Sequence, residues 1–184
     1  MRQIVFFLEE PSAEGMLKGV LPKILPKTIT PRFVVFEGKQ DLEKRLPLRL
    51  RAWRQPDTLF VVMRDQDSGD CTTIKRGLVK KCTDSGKPAA LVRIACRELE
   101  SFYLGDLKAV SEAIGPANIE KHKNKAKFRN PDTLTNPSQE LKKLAPSYQK
   151  VSGSREIGPM LDLDNNKSPS FNALINGVLR LTGC

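Results

Sequence analysis

Residues 58–70 read Thr58-Leu59-Phe60-Val61-Val62-Met63-Arg64-Asp65-Gln66-Asp67-Ser68-Gly69-Asp70, an apolar run that turns without a break into an acidic loop. A stretch this rich in Val, Phe and Leu predicts a buried strand over 58–63. Beyond the loop, Cys71, Ile74, Leu78 and Cys82 keep helical spacing. The same order recurs on either side. Residues 3–9 predict a first strand, and Ala13, Met16, Leu17, Val20, Leu21, Ile24 and Leu25 an amphipathic helix. Ser12 is placed to cap that helix, Pro22 to kink it and Pro26 to end it. Residues 32–36 predict a second strand, Leu42, Leu46, Leu50 and Trp53 a second helix that carries Pro47, and residues 89–95 a fourth strand. Near-continuous apolar strands alternating with helices make an α/β fold: a parallel sheet with helices on both faces.

After about residue 105 the character changes. Residues 107–155 hold ten Lys or Arg against four acids and no strong strand. Asn136-Pro137-Ser138-Gln139 and Ser168-Pro169 read as helix starts, and Phe171, Leu174, Ile175, Val178 and Leu179 keep helical spacing. The expected organisation is an α/β core over residues 1–105 and a basic, mainly helical C-terminal extension over 106–184 that packs on it. The apolar stripe of its last helix either faces the sheet, the expected arrangement, or docks another subunit.

Composition narrows the chemistry. The longest apolar runs, Ile4–Leu8 and Leu59–Met63, are five residues each, against about 20 for a membrane span. The first is also too short for a signal peptide, so a cytoplasmic protein with no membrane partner is expected. Cys71, Cys82, Cys96 and Cys184 form no CxxC pair, and His122 is the single histidine. That excludes a zinc site of several Cys and His ligands and leaves carboxylates to carry any catalysis. The net charge of +10 favours a polyanionic partner, nucleic acid above all.

In open parallel sheets, ligands bind beyond the carboxyl ends of the strands. Three of the four predicted strands end there in acids: Glu9 and Glu10 with Glu14 one turn on, Asp65 and Asp67 with Asp70 close behind, and Glu98 with Glu100. Carboxylates gathered in one cleft repel unless a cation neutralises them, and hard oxygen ligands suit Mg²⁺ or Mn²⁺. The Asp-x-Asp spacing lets an extended loop turn both side chains to one side. Each acid taken alone has a plainer use. Asp67 or Asp70 would cap the helix beginning near Cys71, and Glu14 would suit the positive end of its helix.

These stretches carry a resemblance. Phe7-Leu8-Glu9-Glu10-Pro11-Ser12-Ala13-Glu14 resembles the first motif of topoisomerase–primase (Toprim) domains, a strand ending in Glu-Gly-x-x-Glu before a helix. Val62-Met63-Arg64-Asp65-Gln66-Asp67 resembles their second, a strand ending in Asp-x-Asp. Glu98-Leu99-Glu100-Ser101-Phe102-Tyr103-Leu104-Gly105-Asp106, with the steps Asn130-Pro131 and Asn136-Pro137, is similar to small Toprim-like proteins of the DUF4276 type, related to overcoming-lysogenization-defect nucleases. The resemblance implies a Toprim-like Rossmannoid sheet and a metal-dependent nuclease. Glu10, Asp65 and Asp67 would ligate Mg²⁺ or Mn²⁺, and Glu14, Asp70, Glu98 and Glu100 would complete the site, for one ion or two. Glu10, Glu14, Asp65 and Asp67 would be the catalytic set, while spacing to Glu14 leaves Glu9 pointing elsewhere. Such proteins are linked to ATPases in defence systems. No GxxxxGK[ST] loop occurs in this chain, so any ATPase would be a separate partner.

Pro11 stands where the family pattern has glycine, which removes an N–H and fixes φ. It keeps open a second reading, a Toprim-shaped module that binds nucleic acid or a partner without cutting. A receiver-type module fits less well, since it needs a hydroxyl residue ending the fourth strand where this chain has Ala95-Cys96. Lys121, Lys123, Lys125, Lys127 and Arg129 form the densest basic run, expected to meet phosphates, with Phe128 available to stack on a base.

Overall fold

A computed structural model describes residues 2–183. Strands β1 (Arg2–Leu8), β2 (Ile29–Val35), β3 (Thr58–Asp65) and β4 (Leu91–Ala95) form one parallel sheet in the order β2-β1-β3-β4. The α/β parallel-sheet expectation holds, with strand ends moved by a few residues. β1 lies inside the sheet, and Ile4 through Leu8 are fully buried, which is why they read as an unbroken apolar run. Pleating sends alternate residues to opposite faces. Ile4, Phe6 and Leu8 join Val61 and Met63 in one hydrophobic cluster, whereas Val5, Phe7, Val62 and Ile94 join a second.

The second cluster is closed by α2 (Lys39–Ala52) through Leu42, Leu46 and Leu50, and by α3 (Cys71–Asp84) through Leu78 and Cys82. Pro47 lies inside α2 without ending it. The first cluster takes in α1 (Pro11–Val20), α4 (Glu100–Leu104), α5 (Leu107–Ala113), α6 (Pro137–Leu144), α7 (Lys150–Ile157) and α8 (Pro169–Thr182). Phe171, Leu174, Ile175 and Val178 of α8 are buried in it, so the C-terminal apolar stripe faces the protein's own core.

Two expectations for α1 need correction. The helix ends at Val20, and Leu21–Lys23 form a 3₁₀ turn that carries Pro22, because proline has no N–H to continue the α-helical ladder. At its start Pro11 takes the first helical position and Glu10 the capping position. Ser12, expected as the cap, instead donates its hydroxyl to Glu10 Oε1 at 2.7 Å.

α7 lies against α1 because glycines permit the approach. A Cβ on Gly19 would fall 2.4 Å from the nitrogen of Pro159, and one on Gly158 would fall 2.6 Å from the carbonyl oxygen of Met16. This contact places the first residue of α7, Lys150, beside the first turn of α1. Among the described residues no helix is long and apolar enough to cross a membrane.

Candidate functional site

Four parallel strands bring their carboxyl ends to one edge, and the acids follow them there. Asp65, the last residue of β3, is 8% exposed. Its backbone is held on both sides: the N–H donates to Glu9 Oε2 at 2.9 Å, and the carbonyl accepts from Arg64 Nε at 2.8 Å. Its carboxylate accepts no hydrogen bond among the described residues. Burial first, then the charges of Glu10, Glu100 and Glu9, push its pKa well above the ordinary carboxylate range, with Lys150 acting against them. Glu100 is fully buried, and its Oε1 accepts the Tyr148 hydroxyl at 3.0 Å while Oε2 has no hydrogen-bond partner among the described residues. Burial raises its pKa too, again opposed chiefly by Lys150. Glu9, which spacing had set aside, lies beside Asp65, and burial lifts its pKa despite the Asp65 N–H and Arg64.

Two cations flank these carboxylates, and sequence reasoning singled out neither. Lys150 Nζ sits 2.7 Å from Glu10 Oε1. Burial draws its pKa down, but the bond to Glu10 and the charges of Glu100, Glu10 and Asp65 outweigh that and raise it. Arg64 is 5% exposed, donates from Nη1 to Glu43 at 2.5 Å, and lies 3.8 Å from Asp67 and 3.9 Å from Glu9. A local signal for Lys150 existed: it opens a helix, where the macrodipole disfavours a cation unless acids compensate.

The remaining predicted ligands have other partners. Asp67 has φ near +54°, a left-handed conformation that Asp tolerates, and its carboxylate meets Lys39 at 2.8 Å. Glu14 pairs with Lys18 at 2.7 Å, one turn along α1. Asp70 caps α3 through the Thr73 N–H at 2.7 Å, and its hydrogen bonds to Thr73 lower its pKa. Glu98 Oε2 accepts the Ser138 N–H at 2.7 Å, serving the start of α6, where Asn136 makes no side-chain cap bond. The arrangement thus gathers Glu10, Asp65 and Glu100, with Glu9 added, while Glu14, Asp70 and Glu98 keep local partners. Among the described residues no three His, Cys, Asp or Glu side chains stand ready-grouped for a metal ion.

In the basic run, Lys123 pairs with Glu120 at 2.6 Å and Lys127 with Glu140 at 2.5 Å. Lys121, Lys125 and Arg129 are exposed. Phe128 is 1% exposed and belongs to the core, so the expected stacking role does not hold: its ring packs inward. Cys82 is buried and Cys71 and Cys96 are half-buried, all free, and Cys184 lies outside the described residues.

Comparison with known proteins agrees with this architecture. The structure is similar to the C-terminal region of the Burkholderia pseudomallei OLD protein, with a TM-score of 0.55 over 97% of this chain and 96% of that one, at 14% identity. The shared fold is the Toprim-like α/β fold that the motif order implied. No protein with a curated description matches the chain. The family model described as "Domain of unknown function (DUF4276)" matches residues 8–179, almost the whole chain, which therefore belongs to the DUF4276 family.

Proposed function

We propose that this protein is a divalent-metal-dependent nuclease whose ion is held by Glu10, Asp65 and Asp67, with Glu100 beside them. One observation carries the reading: a buried Asp65 carboxylate that accepts no hydrogen bond among the described residues while Glu10, Glu100 and Glu9 crowd it. A folded protein leaves such a group unpartnered at a cost, and a cation would remove that cost. The donors are all carboxylate oxygens, and the orphaned Oε2 of Glu100 adds one more, a set suited to Mg²⁺ or Mn²⁺. To bind the ion Asp67 would have to leave Lys39, and Glu14, Asp70 and Glu98 would each have to leave a present partner to join.

The bound ion would supply positive charge against the phosphate and lower the pKa of the attacking water. The chain's own residues do the rest. Arg64 and Glu9 hold the backbone of Asp65 and so fix the point from which its side chain projects. Lys150 neutralises Glu10, and its ammonium would be available to donate to a phosphate oxygen if a cation took over that role. Tyr148 holds Glu100 in place by its hydroxyl. The net charge of +10 favours a nucleic-acid substrate. The OLD-type resemblance extends the proposal to a separate ATPase partner and a defence role.

Pro11 and the Lys150–Glu10 pair favour a second reading, in which the site is self-neutralised and the protein binds without cutting. Cleavage separates the two. Supercoiled plasmid and total RNA are incubated with Mg²⁺ or Mn²⁺ and either wild type or Asp65→Ala. The nuclease reading expects nicked or degraded nucleic acid with wild type only. Intact substrates in every lane, with binding retained, support the second.

A further inference from the structure

The chain's charge is divided unevenly by the sheet. α2 with Trp53-Arg54 after it, and α3, together carry ten basic and three acidic residues. These thirty residues therefore hold +7 of the net +10. Both helices cover the same face, closing the second hydrophobic cluster through their leucines, so their outer sides form one solvent-facing surface. Lys44, Arg49, Arg51, Arg54, Lys75 and Arg76 are exposed there and have no ion-pair partner among the described residues. Unneutralised charge of one sign on one face repels itself, so it points to an anionic ligand rather than to stability.

Both helices begin at the acidic edge. Gly38, just before α2, donates its N–H to Glu9 O at 3.0 Å, Lys39 meets Asp67 at 2.8 Å, and α3 opens directly after the loop bearing Asp67 and Asp70. Each then runs fourteen residues, about 21 Å, away from that edge. The surface offers cations but no stacking platform: Phe7 and Phe60 pack with Trp53 beneath it, and the large apolar residues exposed on it are Leu48 and Val79. Single-strand binders add exposed aromatics to a charged groove, whereas non-specific duplex binding rests almost wholly on charge against the backbone phosphates.

We infer that the α2–α3 face is a duplex-binding track that grips phosphates without reading sequence and leads the duplex to the acidic edge. This deepens the nuclease reading and rests on it for the role of that edge, but it is tested without cleavage. Binding of a fluorescent 20-bp duplex is measured against salt in EDTA, for wild type and for K44Q/R49Q/R51Q/K75Q/R76Q. Glutamine keeps helix propensity, so an unchanged melting temperature verifies the fold. Five lost contacts should flatten the log–log salt slope by about 4 to 5. The comparison variant K121Q/K125Q/R129Q should flatten it by no more than about 1. Single strands and phosphatidylserine vesicles serve as rival ligands and should bind more weakly than duplex.

An unmoved slope in the fivefold variant, an equal effect per charge in the threefold one, or tighter binding to single strands or vesicles overturns the inference. Wild-type cleavage that the fivefold variant retains in full would remove the track and leave the nuclease reading. Loss of duplex binding by the fivefold variant, with no cleavage by wild type, would do the reverse.

Discussion

Asp65 concentrates the energetics of the site in one side chain. Folding raises its pKa above the ordinary value of 3.8, and those of Glu9 and Glu100 above 4.5. Between the ordinary and the raised values the native state binds more protons than the unfolded chain, so stability of the metal-free protein falls as pH rises through that window. Asp65→Asn removes one such group and, with it, the repulsion that Glu10, Glu100 and Glu9 exert on its charge. Each kcal/mol of relieved repulsion is worth about 2–4 °C in a protein of this size. The variant should therefore melt about 3 °C or more above wild type at pH 8 without metal, with the gap closing toward pH 4. Scanning calorimetry across pH checks this. A variant less stable than wild type at every pH would show that Asp65 has a structural bond to lose. Asp65 was legible in the sequence because its motif is local, a strand followed at once by Asp-x-Asp. Lys150 was not, since its acidic partners lie at positions 10, 65 and 100 and a lysine in a basic stretch looks like solvated charge.

At the scale of elements, the site depends on how α7 meets α1. Tyr103 donates to Ser154 Oγ at 2.7 Å, and Tyr148 donates to Glu100 at 3.0 Å, so α4, α7 and the segment before α7 share one buried network. Gly158 lets the chain pass Met16 at backbone distance. Gly158→Ala should cost about 1–3 kcal/mol by overpacking and separate Lys150 from Glu10. Chemical denaturation would measure the loss, and a cost below about 0.5 kcal/mol would mean that the contact yields easily. The strands and α3 were legible because each buries a periodic face. Glycines at interhelical contacts leave no such pattern, so the docking of α7 could not be read. The expected reach of α1 to Leu25 failed for a similar reason: the apolar spacing continues through a 3₁₀ turn that Pro22 imposes.

At the scale of the whole molecule, one sheet separates two surfaces. One face is covered by α1 and the C-terminal helices, and the other by two strongly basic helices, with the carboxylates on the edge where both meet. The basic run at 121–129 is contiguous in sequence, yet it spends Lys123 and Lys127 on Glu120 and Glu140. The cations of α2 and α3 are spread at helical spacing and come together only when both helices lie on one sheet face. The central claim is that the acidic edge holds a divalent ion, and thermal unfolding with added Mn²⁺ tests it without a substrate. Binding to the native state alone should stabilise wild type by about 2.7 kcal/mol at a hundredfold excess over Kd, while Asp65→Asn should lose most of that gain. If millimolar Mn²⁺ leaves the wild-type melting curve where it was, or stabilises Asp65→Asn equally, these carboxylates do not form a metal site and the proposed nuclease mechanism fails.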